Sequence, residues 1–168
     1  MYTIISGTNR VGSNTLKVAK AYQHILKEKG ITAKLLSLEG MNLLARDETF
    51  QKIENDFIIP ADKILFIVPE YNGSFPGVLK LLFDTSKPHS IWWQKKALLT
   101  GVSTGRAGNL RGMDHLSAIL NYLKITVHPN HLPISLVDTV MDKDGNFTDK
   151  NTLDAIHQQT DAFIGWHK

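Results

Sequence analysis

The chain has 168 residues, 42% of them apolar and 21% charged, proportions of an ordinary folded domain that exclude a disordered or fibrous chain. It contains no cysteine, which excludes disulfides, thiolate nucleophiles and zinc–thiolate sites. The formal net charge is +3 with no basic run longer than Lys95-Lys96, unlike the concentrated positive face of a nucleic-acid binder.

The apolar runs are too short to span a bilayer, and Met1 leads directly into Tyr2-Thr3-Ile4-Ile5 without a basic leader. The expectation is one soluble, cytoplasmic domain over 1–168, long enough to bury a core without staples. Residues 2–6 read as a first strand ending at Ser6-Gly7. From Asn14 to Lys29, Val18, Tyr22, Ile25 and Leu26 fall at helical spacing, and Gly30 stops the helix. Residues 31–38 predict a second strand, and 48–56 a weak helix inside a mixed segment. Ile64 to Val68 is continuously apolar, as a central parallel strand covered on both faces must be. Pro76 opens a helix through Thr85, and Ala97 to Val102 forms the fourth strand. Leu110, Met113, Leu116, Leu120 and Leu123 stripe a fourth helix. A short strand near 125–127 and a helix over 150–166 close the series. Strands alternating with helices predict a three-layer α/β fold, with a doubly wound, flavodoxin-like five-stranded parallel sheet in the order 2-1-3-4-5.

Such sheets bind ligands beyond the carboxyl ends of their strands. Three polar, glycine-rich loops fall there: 6–15 after strand one, 69–77 after strand three and 103–108 after strand four. The first carries hydroxyls at Ser6, Thr8, Ser13 and Thr15 and a guanidinium at Arg10, then a helix start at Asn14. Hydroxyls, a cation and unpaired helix amides are what hold a phosphate. Gly7-x4-Gly12 imitates an NTPase phosphate loop, but Ser13 stands where lysine is needed and Asn14 where the magnesium hydroxyl is needed. A phosphate monoester held without metal fits instead.

The middle loop, Tyr71-Asn72-Gly73, suits the edge and face of a planar ring, or Tyr71 is simple half-buried packing. Gly101-Val102-Ser103-Thr104-Gly105 matches a nucleophile elbow, with Asp138 and His157 following in hydrolase order. Against this, no oxyanion segment is present and the turn runs on through Arg106-Ala107-Gly108. Asp142-x-Asp144-Gly145-Asn146 echoes a calcium loop, but its glycine comes too early and no glutamate closes it. His128 and His131 lack a third ligand, so no metal is expected. Trp92-Trp93 precedes strand four, at the opposite end from the site, where core packing or a subunit contact is expected.

The segment Ala61-Asp62 through Lys80, with PEYNGSFPGVLK inside it, resembles the signature of the NAD(P)H-dependent FMN reductases, a group with quinone, azo-dye and chromate reductases among its members. Gly7, Thr8, Arg10, Ser13 and Thr15 resemble that family's first loop, with Thr8 for serine and Thr15 for asparagine. Leu81 and Thr85 depart from its usual asparagine and tryptophan. The resemblance implies FMN, with its phosphate at Thr8, Arg10, Ser13, Asn14 and Thr15. The ring would lie against Pro69, Glu70, Tyr71, Asn72 and Gly73, with its pyrimidine edge near Ser103 and Gly105. Glu70 there would answer local backbone or a nearby cation, not serve as a catalyst. Hydride passes from NADPH or NADH to flavin and on to a small-molecule acceptor (a quinone, an azo compound or free flavin), so no catalytic side chain is required. Arg106 either attracts the pyridine nucleotide's phosphates or is plain surface. Assembly as a homodimer or homotetramer is also implied. The rival reading is a flavodoxin-like electron carrier, but carriers of that kind are usually acidic and this chain is not.

Overall fold

The computed structural model describes residues 1–87 and 89–166. Six parallel strands form one sheet: β1 (Tyr2–Ser6), β2 (Ala33–Ser37), β3 (Lys63–Pro69), β4 (Lys96–Val102), β5 (Thr126–Val127) and β6 (Leu132–Ile134). Their order is β2-β1-β3-β4-β5, with β6 also on β4, which is the doubly wound topology expected from the sequence. The helices are α1 (Asn14–Glu28), α2 (Glu48–Ile53), α3 (Gly77–Thr85), α4 (Leu110–Tyr122), α5 (Val137–Val140) and α6 (Lys150–Ile164).

The continuous apolar run of β3 has the predicted reason. Ile64, Phe66 and Val68 face one core with Leu79 and Leu82 of α3 and Met113, Leu116 and Leu120 of α4. Leu65 and Ile67 face the other, with Val18, Tyr22 and Leu26 of α1 and Ile156 and Phe163 of α6. Alternation with period two sends neighbours to opposite layers, so every β3 residue is buried. Trp92 belongs to the first core, fully buried with its ring centroid 5.0 Å from that of Phe83. Trp93 is exposed, and the Lys124 ammonium sits 3.9 Å from its ring centroid.

Two elements differ from expectation. The predicted helix over 48–56 is α2, capped by the Asp47 carboxylate on Phe50 N, running into a π-helical turn over Glu54–Ile58. The fifth strand is broken in two. Thr126–Val127 pair with Lys96–Ala97, and Leu132–Ile134 pair with Thr100–Val102. Between them, the four residues 128–131, with Pro129 among them, span an interval that β4 covers with two, Leu98 and Leu99. The buried Gln159 amide fills this gap, donating to Leu99 O (3.0 Å) and Asn130 O (2.8 Å). Its carbonyl accepts from Tyr22 OH (2.5 Å) and Thr100 Oγ1 (3.1 Å), so one side chain joins α1, α6 and the sheet edge. Without it, the buried Leu99 carbonyl would lose this donor at a cost of about 1–3 kcal/mol.

Register positions the site. Ser6 pairs with Ile67 and Pro69 with Val102, so β1, β3 and β4 end close together and their loops emerge at one edge. Among the described residues, no helix is long and apolar enough to cross a membrane.

Candidate functional site

The first loop is held from below and open above. Gly7 N donates to Ile67 O at 2.9 Å, tying the loop to β3. Ser13 caps α1, its hydroxyl accepting from Leu16 N at 3.1 Å. The amides of Ser13, Asn14 and Thr15 donate to no protein group among the described residues, so they remain free at the helix's positive end. The Asn14 amide group donates to Asp138 on α5 at 2.5 Å.

Thr8 is buried where the first loop meets the middle one. It is 1% exposed, its hydroxyl lies 2.5 Å from Tyr71 OH, and it accepts from Arg10 N at 3.3 Å. It therefore ties the first loop to the middle one and does not line the cleft. Arg10 lies over Tyr71, its Cζ 4.2 Å from the ring centroid, and one face of that ring is covered by the guanidinium.

Asn72 and Gly73 both have positive φ, 52° and 75°, between reciprocal backbone bonds of Tyr71 and Ser74. This is the Asn-Gly type I′ turn, and it presents a tight, fixed corner. Glu70 N donates to Val102 O at 3.0 Å, which joins the corner to β4.

Two adjoining lobes open between the loops. One, of about 150 Å³, is lined by Arg10, Ser13, Asn14, Thr15, Pro69 and Tyr71. The other, of about 230 Å³, is lined by Asn72, Gly73, Gly105, Arg106 and Ala107. Glu70, Ser103 and Thr104 line both. A larger groove of about 630 Å³ lies outside this cleft, between α1 and the turn before α6. It shares only Ser13 with the three-loop cleft.

Ser103 is no nucleophile here. Its hydroxyl donates to Gly105 O (2.8 Å) and accepts from Gly108 N (2.9 Å), and neither partner is a histidine. Asp138, the acid of the hydrolase alternative, is engaged by Asn14 instead. The Asp142 carboxylate closes its own turn, accepting from the amides of Asp144 and Asn146, both at 2.9 Å. His128 packs edge-on against Phe163 and Trp166. Burial first, then His131 and Lys63, push its imidazole below the ordinary range. Among the described residues, no group of three or more histidine and acidic side chains is placed to hold a metal.

Three residues at the site escape the sequence reading. Asn109 is fully buried with φ 62°, and its amide donates to Val68 O and Pro69 O, both at 3.0 Å. It pins the end of β3 where the ring loop begins. The glycines around it are its counterpart: a Cβ at Gly112 would lie 2.0 Å from Asn109 Oδ1, and one at Gly101 would lie 2.0 Å from Gly108 O. Arg111 lies over Gly73, its Nη1 3.3 Å from where a Cβ there would stand. His115, one turn on, is 2.9 Å from Ser74 Oγ through Nδ1. The available signal was the first turn of α4, which carries Arg111 and no acid, against the usual dipole preference.

A doubly wound sheet with free helix amides, a guanidinium and a ring-sized corner at its switch point defines a mononucleotide-binding protein. Comparison with known proteins narrows this. Residues 2–138 match the model of the family described as NADPH-dependent FMN reductase. An NAD(P)H-dependent FMN reductase of Pseudomonas aeruginosa is 33% identical over 178 aligned positions, covering 96% of this chain and 92% of that protein. A 2-hydroxy-1,4-benzoquinone reductase of a Burkholderia species is 29% identical, covering 78% of this chain and 76% of that one. The solved structure of a flavoenzyme NAD(P)H:(acceptor) oxidoreductase from Paracoccus denitrificans shares the fold, with a TM-score of 0.83, 24% identity, and coverage of 98% and 95%. The chain belongs to the NADPH-dependent FMN reductase family and is an oxidoreductase whose cofactors are FMN and NAD(P)H. The donor set fits FMN: three free amides, hydroxyls and Arg10 converge in one lobe, with the Asn72-Gly73 corner beside it.

Proposed function

We propose that this enzyme moves hydride from NAD(P)H to a small acceptor of the quinone, azo or free-flavin class, with FMN held across the two lobes. The observation that carries this reading is the meeting of free helix amides, Arg10 and the type I′ corner in one cleft. Arg10, Ser13, Asn14 and Thr15 hold the phosphate, as chemistry suited to a dianion beside a helix start. Thr8 acts one step back, through Tyr71 and the Arg10 amide. Pro69 to Gly73 border the ring, and Ser103 and Gly105 its pyrimidine edge, with Ser103 already hydrogen-bonded within its own loop. When bound, FMN supplies the hydride acceptance and donation, so the protein needs no acid or base of its own. Its work is orientation, donation to the reduced ring's charge, and access to one face.

Relatives named as quinone reductases support the acceptor class. An electron carrier on the same fold, the rival left open by the sequence, does not account for those relatives. Anaerobic mixing with NADPH, followed by steady-state oxidation with benzoquinone, an azo dye, FMN and ferricyanide, separates enzyme from carrier. Rapid bleaching and turnover support the enzyme, while a flavin that NADPH leaves oxidised supports the carrier. Assembly as a homodimer or homotetramer is part of the proposal, with the half-buried Ile119 and the exposed Tyr122 offering apolar surface. Thr85, a departure from the family pattern, instead donates to Leu43 O at 2.7 Å. Light scattering of the flavin-loaded protein tests assembly.

A further inference from the structure

We infer that Arg106 and Arg111 form a second anion site, on the Gly73 side of the cleft, for phosphate groups of the reduced pyridine dinucleotide. The inference rests on the proposed hydride donor using this cleft.

The chain has four arginines. Arg46 is paired with the buried Glu54 carboxylate at 2.7 Å. The other three, Arg10, Arg106 and Arg111, are in no ion pair among the described residues; Arg10 and Arg106 line the cleft, and Arg111 lies against Gly73, which lines its second lobe. One phosphate monoester accounts for Arg10, which lines the smaller lobe with the free amides of α1. It leaves the other two cations without a counterpart. Guanidinium groups are long, always charged and forked, a geometry matched to phosphate.

Both cations are mounted on fixed backbone. Arg106 sits in a loop tied to the end of β6 and the segment after it: Ser103 N donates to Ile134 O, Val137 N to Ser103 O and Leu136 N to Gly105 O, each at 3.0 Å. Ser135 Oγ adds a bond to the Arg106 carbonyl at 2.8 Å. Arg111 stands on the first turn of α4, whose start is held by buried Asn109. The Gly73 corner beneath it leaves room for the guanidinium, which a side chain at that position would crowd. Among the described residues, Glu70 is the one carboxylate lining either lobe, and Asp114 on the next turn of α4 acts on His131. The Gly73 side therefore carries two cations against one acid.

The chemistry points to the donor and not the acceptor. A neutral quinone has nothing for two guanidiniums to hold. The dinucleotide brings a pyrophosphate, and NADPH a 2′-phosphate as well.

The test is anaerobic stopped-flow reduction of the flavin-loaded protein by three donors: NADPH, NADH and 1-benzyl-1,4-dihydronicotinamide, which has no phosphate. Parent, Arg106→Gln, Arg111→Gln and Arg111→Lys are compared. The expected result is a rise of about 10- to 100-fold in the NADPH dissociation constant relative to that of the benzyl donor in each Gln variant, with Arg111→Lys between parent and Arg111→Gln. A matching rise for NADH identifies the pyrophosphate, and a rise confined to NADPH identifies the 2′-phosphate. Unchanged ratios, or equal weakening for all three donors, overturn the inference. A parent flavin that none of the donors reduces overturns the proposed function itself, a separate failure.

Discussion

The two ends of the sheet handle positive charge in opposite ways. At the amino end, Lys63 on β3 donates to Phe163 O (2.7 Å) and Ile164 O (3.0 Å), closing the last turn of α6. Lys95 donates to Ala61 O (2.5 Å), and the chain's amino group pairs with Asp62. Both lysines are buried, and burial pulls their ammonium groups below the ordinary range. At the carboxyl end, Arg10, Arg106 and Arg111 are exposed and are in no ion pair among the described residues. Cations of the first kind meet backbone carbonyls or a carboxylate of the same chain and hold the fold. Those of the second kind are the ones proposed to meet phosphate. The overall balance of +3 conceals this division.

Removing a cation at each end should break different properties. Lys63→Met leaves the carbonyls of the last α6 turn without their donor, and a hydrogen bond from a charged group contributes about 1.5–3 kcal/mol. Thermal unfolding should shift down by several degrees with FMN affinity little changed. A loss of FMN binding at unchanged melting temperature would erase the division. Asn109→Ala should lower stability by about 1–3 kcal/mol, since two carbonyls at the end of β3 lose their partner. Because that strand end carries the ring loop, FMN should also bind more weakly. Denaturant unfolding with a flavin titration checks both, and intact FMN affinity would mean that Asn109 serves the fold alone.

The amino end also titrates. His128 is held neutral by burial among Phe163, Trp166 and Lys63, so its folded pKa lies below the unfolded value near 6.5. The unfolded chain then binds more protons, and this stabilisation is complete above about pH 6.5 and declines as pH falls towards the folded pKa. His131 shifts the same way. Chemical denaturation at pH 7.5 and 5.5 should show the decline, and His128→Gln should reduce it. An unaltered slope in that variant would assign the titration elsewhere. The smallest effect belongs to Ser103→Ala, which removes neutral bonds of about 0.5–1.5 kcal/mol and should retain most reductase turnover. Collapse of an esterase activity in that variant would restore the hydrolase reading.

Most of the fold was legible because burial on both faces writes itself into the chain. The β3 run, the α1 and α4 stripes and the Gly30 stop need only local pattern. The broken edge was not legible, because two- and three-residue strands around Pro129 and Pro133 carry no period, and Gln159 fills the gap from 29 residues beyond Asn130. At the site, Arg10, Ser13 and Tyr71 stood out by residue type at a strand end. The tie from Thr8 to Tyr71 was not legible, because a hydroxyl in a phosphate-like loop gives no sign of which way it faces. Asn109 was hidden because its role depends on strand ends about 40 residues away. Arg111 was hidden because a helix stripe drew attention to the leucines beside it.

The central claim is that the cations of the carboxyl end serve bound phosphate, and a paired titration of Arg10→Ala with FMN and riboflavin tests it most directly. Riboflavin has the same ring and no phosphate. A charge-assisted contact contributes about 1.5–3 kcal/mol, and each 1.4 kcal/mol is tenfold. Quenching of flavin fluorescence should therefore show FMN weakened by about 10- to 150-fold, with riboflavin bound about equally by parent and variant. Equal weakening of the two ligands would contradict the account, leaving Arg10 as a support for the Tyr71 loop and not a holder of phosphate.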